Sequence, residues 1–105
     1  MDTKTVTDIE RYQDEKHVLV PVFDGERAKV RLLCLAPGTG VPAHGHEGFE
    51  LTLVPWAGKG VAPREDGTEL VLEPGQLHFA EGSESFGFQN PNAGPFQMLI
   101  HLVKK

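Results

Sequence analysis

His44, His46 and Glu50 fall within seven residues of one another, inside the run Gly38-Thr39-Gly40-Val41-Pro42-Ala43-His44-Gly45-His46-Glu47-Gly48-Phe49-Glu50. In an extended segment side chains alternate in direction, so residues two apart share a face. His44 and His46 should therefore converge, and Glu50 has the same parity if the segment stays regular. Neutral imidazole and carboxylate are ligands for a first-row transition metal. Two histidines and one carboxylate also suit a non-haem Fe(II) centre that keeps positions open for substrate and oxygen. A second reading of Glu50 stays open. It shares parity with Thr52 in Phe49-Glu50-Leu51-Thr52-Leu53, which allows it to point to solvent from a half-buried strand.

Other side chains bear on the same chemistry. His101 shares its facing with Leu99 and Val103, and it approaches the pair only if that face looks inward. His78, between Leu77 and Phe79, is judged the same way. His17 reads as a solvated histidine of the N-terminal segment. Phe79, Phe86 and Phe88 are expected to be core and to line a pocket, with Phe86 and Phe88 on one face. Ser83 and Ser85 lack a placeable His/Asp partner for nucleophilic catalysis. Glu81 and Glu84 lie among polar neighbours and make no acid–base pair. Gly38-Thr39-Gly40 lacks the lysine and helix of a phosphate loop.

Short apolar segments separated by turn signals must position these residues. Lys16 to Phe23 is closed by Asp24-Gly25 as a hairpin. Ala28 to Ala36 ends at Pro37-Gly38. Phe49 to Val54 is stopped by Pro55, Gly58 and Gly60. Asp66-Gly67 leads into Glu69 to Leu72, and Pro74-Gly75 into Gln76 to Ala80. Ser85 to Gln89 and Phe96 to Val103 complete the set, with Asn90-Pro91-Asn92-Ala93-Gly94-Pro95 as a loop. Turns about every 8–12 residues mark a sandwich or barrel. Thr5 to Gln13 could hold a helical turn but is too polar to anchor anything. The reading is an all-β barrel wide enough for side chains and one ligand.

The 105 residues make one domain, 1–105, with an N-terminal extension over 1–15 and a barrel core over about 16–104. A formal net charge of −5 and the absence of a basic patch exclude a generic nucleic-acid surface. The lone Cys34, between Leu33 and Leu35, reads as a small buried hydrophobe and fits a reducing compartment. Met1-Asp2-Thr3-Lys4 begins no secretory signal. The apolar runs are too short to span a bilayer. A cytoplasmic protein without a membrane partner is expected. Trp56, beside Pro55, is a candidate interface anchor.

With these segments in place, the chain resembles the cupins, small double-stranded β-helix or jelly-roll barrels. Their first motif, G-x5-H-x-H-x(3,4)-E-x6-G, is matched by Gly38, His44, His46 and Glu50. The closing glycine departs, since Ala57 holds its place and Gly58 follows. In the second motif, G-x5-P-x-G-x2-H-x3-N, Gly75 and Asn90 agree. Glu81, Ser83 and Phe86 replace the proline, glycine and histidine. An alignment anchored on Gly82 puts Ser85 at the histidine position instead.

The resemblance implies that His44, His46 and Glu50 are three of four ligands to a divalent transition metal: iron, zinc, manganese or nickel. His101 or His78 is a possible additional ligand. It implies a metal-dependent dioxygenase or isomerase acting on a small organic molecule, the metal serving as Lewis acid or oxygen-activating centre. The alternative is a non-catalytic small-molecule-binding or sensor cupin with a degenerate or absent metal site. A homodimer is implied as well, with Lys16 to Phe23 as the strand available for exchange.

Overall fold

The computed structural model describes residues 1–105. One helical turn, α1 (Val6–Ile9), precedes nine strands. These are β1 (Val18–Asp24), β2 (Ala28–Leu35), β3 (Gly40–His44), β4 (Phe49–Ala57), β5 (Gly60–Pro63), β6 (Glu69–Leu72), β7 (His78–Glu81), β8 (Phe86–Gln89) and β9 (Phe96–Lys104). All strand pairs are antiparallel. They form a five-stranded sheet, β1-β2-β9-β4-β7, facing a four-stranded sheet, β3-β8-β5-β6. The architecture is all-β, as the spacing of turns predicts. No helix is long and apolar enough to cross a membrane.

Turn chemistry sets most boundaries. Gly67 and Gly75 take φ of 87° and 96°, open to glycine without a steric penalty. The Asp66 carboxylate accepts hydrogen bonds from the Thr68 amide and hydroxyl, closing the turn before β6. Two segments depart from the sequence reading. Pro55 does not stop β4, which runs on to Ala57, with Pro55 opposite Met98. The pairing of β4 with β7 ends at Leu53, so Pro55 sits where one side of the strand has no neighbour and a missing N–H is tolerated. Gly60 does not merely end a segment; it begins β5.

The core lies between the sheets. It includes Leu33 and Leu35 of β2, Leu51 and Leu53 of β4, Phe88 of β8, and Phe96, Met98 and Ile100 of β9. The alternate residues of β2 and β9 face outward, yet Leu32 and Cys34 are fully buried there. Val6 and Ile9 of α1 pack over them together with Val22. The N-terminal segment is therefore anchored, contrary to expectation. Its two apolar side chains suffice because the sheet offers an apolar patch. The Lys4 Nζ donates to the Val22 carbonyl and the Gln97 amide to the Glu10 carboxylate. Cys34 is a core residue, and burial pushes its thiol pKa up. β1 lies at the edge of the five-stranded sheet, paired along one side with β2 of its own chain.

Candidate functional site

His44 is exposed at the mouth of a cavity and is turned toward it by an irregularity. In β3, Val41 pairs with Phe88 and His44 with Phe86, so three steps along β3 match two along β8. This bulge at Pro42-Ala43 returns His44 to the face of Val41, which strict alternation would deny it. Gly87 lies against the bulge: a Cβ there would stand 2.5 Å from the Val41 carbonyl oxygen and 2.9 Å from the Ala43 amide. The strand ends at His44, and His46 belongs to a loop. Gly82 fastens that loop. Its carbonyl accepts from the His46 amide and its own amide donates to the Phe49 carbonyl, both at 2.8 Å. A Cβ on Gly82 would lie 2.0 Å from the His46 carbonyl oxygen.

The two imidazoles stand side by side, ring centroids 4.5 Å apart. His46 lies 6.0 Å from Phe86, which meets Phe88 edge-on at 5.5 Å. A cavity of about 130 Å³ opens beside them. Seven of its ten lining residues are hydrophobic, among them Leu33, Leu51 and Ile100; the other three are His17, His44 and His46. The Nδ1 of His44 donates to the Pro42 carbonyl at 3.0 Å, and that of His17 to the Gly40 carbonyl at 3.2 Å. A carbonyl only accepts, so each ring is the donor. The Nδ1 of His46 is buried without a partner. Burial, and secondarily the neighbouring His44, hold the His46 pKa below the ordinary histidine value.

Glu50 is not in this group. It lies opposite Glu81 and Val103, on the outer face of the five-stranded sheet. Gly48, at φ 88°, turns the chain between the histidine loop and β4, so parity does not carry through. Leu51 faces the histidines instead. The cupin motif allows three or four residues before its acid, and the four-residue spacing lands on Leu51. Three other side chains need correction. His101 pairs with Thr52 and Val30 on the outer face, away from the barrel interior. Phe79 also faces Thr52 and is 64% exposed, so it lines no enclosed pocket. His17, read as solvated, is half-buried against the cavity; its partner lies 23 residues away, and no local signal announces it.

His78 faces inward with Leu53 but lies elsewhere. It lines an open cleft of about 1130 Å³ between β5–β6 and β7–β8, and its Nε2 donates to the Gln76 side-chain oxygen. Phe86 and Phe88 line both spaces, while Phe79 touches only the rim of the larger one. The smaller cavity is the better candidate site. It is more enclosed, and it alone holds the histidine pair.

A metal of the kind the fold implies requires at least three protein ligands. The cavity wall carries three imidazoles, His17, His44 and His46, and no carboxylate. No three His, Cys, Asp or Glu side chains anywhere in the chain gather closely enough to hold a metal ion. Leucine and phenylalanine stand where an acid and a further imidazole would be needed. The residues present do not fit a resident metal.

Two packed antiparallel sheets of this order make a double-stranded β-helix. Against solved structures, the chain aligns with the TT1209 protein of Thermus thermophilus at 32% identity, covering 99% of this chain and 98% of that one, with a TM-score of 0.88. An RmlC-like cupin from Desulfovibrio desulfuricans aligns at 20% identity over 98% and 96% of the two chains, TM-score 0.86. A conserved protein with a double-stranded β-helix domain from Klebsiella pneumoniae aligns at 18% identity over 97% and 84%, TM-score 0.88. No family model matches the sequence, and no curated protein matches it. The chain has the cupin fold, a small double-stranded β-helix barrel.

Proposed function

We propose that this protein is a small-molecule-binding cupin without resident metal chemistry, and that the cavity beside His44 and His46 is its binding site. The observation that carries the reading is the composition of the cavity wall. Seven apolar side chains and three imidazoles line a partly open space of about 130 Å³, with His44 at its mouth, while Glu50 pairs with Glu81 on the other side of the sheet. Ligand sites are commonly concave and apolar with a few polar groups that fix orientation.

The test is the metal content of protein purified without a histidine tag, wild type beside His44→Ala/His46→Ala, with the methyl signals of Leu51 and Ile100 followed by NMR on adding small ring compounds. Substoichiometric metal in both proteins, with methyl shifts in the wild type, is the expected result. About one equivalent of metal in the wild type, lost in the variant, overturns the reading in favour of a metal-dependent enzyme.

Homodimerisation belongs to the same proposal. β1 is a sheet edge with Leu19 47% exposed, and Trp56 is half exposed. Both offer apolar surface to a second copy. Sedimentation as a monomer at micromolar concentration counts against it.

A further inference from the structure

The polar equipment of the cavity is one-sided. Its wall holds three imidazoles and no carboxylate, lysine or arginine. Two of the imidazoles have their hydrogen-bonding sense fixed by the backbone. His44 and His17 each donate from Nδ1 to a carbonyl oxygen. In a neutral ring this leaves Nε2 as an acceptor. His46 adds a buried Nδ1 with no partner in the protein. Such an atom is costly to leave unmatched, and a ligand that matches it is favoured. The site therefore lacks a carboxylate to balance a charged amine and lacks a fixed cation for an acid. What it offers is a set of ring nitrogens able to accept a proton donor.

The rest of the wall sets size and shape. A cavity of about 150 Å³ lined by Leu, Ile and Phe is known to admit benzene, and this one is about 130 Å³. Phe86 and Phe88 meet at an interplanar angle of 62°, an arrangement that a third ring can extend edge-to-face. Leu33, Leu51 and Ile100 supply aliphatic contact.

We infer that the ligand is a neutral molecule about the size of one six-membered ring, carrying a hydroxyl that donates to an imidazole nitrogen of the His17–His44–His46 group. The inference rests on the binding reading above and specifies its ligand class.

Phenol, toluene and benzoate share a ring and differ at one substituent, so they separate the alternatives. Each is titrated into the full chain while the Leu51 and Ile100 methyl signals are followed. Phenol should bind about tenfold more tightly than toluene, the scale of one buried hydrogen bond. Benzoate should bind more weakly than either. In His46→Leu and His44→Leu, toluene binding should persist and the preference for phenol should shrink to about threefold or less. Two variants are used because the loop carrying His46 is tightly fastened and tolerates substitution less well than position 44; the wild-type preference is read without either. Toluene binding as tightly as phenol, or benzoate binding most tightly, overturns the ligand class and leaves the binding site standing. If none of the three shifts the methyl signals, the binding reading falls with it.

Discussion

Leu51 and Glu50 are neighbours in sequence and occupy opposite environments. Leu51 is buried beside the two imidazoles, where the wall is apolar and His46 is held neutral. Glu50 lies across the sheet opposite Glu81, whose carboxylate pairs with Lys105 at 2.7 Å. Around Glu50 that outer side carries charge, and the Glu81 carboxylate, with Glu50 and Glu47 further off, raises the Lys105 pKa. A strand has two faces with a period of two, so a single residue decides which chemistry an acid joins. The histidines and the acid of one short motif are thereby separated by the thickness of a sheet.

The separation can be broken most severely at Gly82. Its Cβ would lie 2.0 Å from the His46 carbonyl oxygen and 2.4 Å from that of Phe49, backbone atoms that cannot swing aside. Gly82→Ala should cost about 4 kcal/mol, read from urea unfolding, and should displace His46. Leu51→Glu tests the comparison directly by moving the acid inward. It should destabilise the metal-free protein by about 3 kcal/mol, because a carboxylate is buried among apolar groups. It should also confer retention of nickel or zinc, since two imidazoles then gain a third ligand. Unchanged stability, or no metal uptake, would mean that position 51 does not face the pair.

The two sides should also answer oppositely to pH. The His46 pKa is lowered on folding, so the unfolded chain takes up its proton first. Stability should fall as pH drops below 6.5, the loss being complete once the folded state also protonates. An NMR titration of the His46 ring with a midpoint at or above 6.5 would contradict this. Lys105 has a raised pKa, so its contribution is present below 10.5 and is lost as pH rises through the folded value. The smallest effect belongs to Glu50→Gln, which should change stability by no more than about 0.5 kcal/mol and leave ligand binding untouched.

The strands were legible where their ends depend on local backbone chemistry. Asp66-Gly67 and Pro74-Gly75 require conformations that few other residue pairs supply, and β6 begins and ends where the sequence places it. The convergence of His44 and His46 was legible too, though a bulge and a loop bring it about rather than a regular strand. The faces were not legible. The facing of Glu50 depends on the turn at Gly48, and that of His101 on the register of β9 between β2 and β4. His17 joins the cavity through a carbonyl 23 residues away. These are outcomes of tertiary pairing, to which neighbouring residues in sequence contribute little.

The place of β9 has a consequence for the order in which the molecule can assemble. Although last in sequence, it lies at the middle of the five-stranded sheet, between β2 and β4. The amide of Lys105 just beyond it donates to the Gly48 carbonyl in the turn that follows the histidine loop. On a ribosome, β2 and β4 emerge long before the strand that joins them, and their inward leucines wait exposed. The sheet closes, and the turn at Gly48 gains its bond from Lys105, only after Phe96–Lys105 has been made. Nascent chains arrested before Phe96 should therefore be protease-sensitive along almost their whole length.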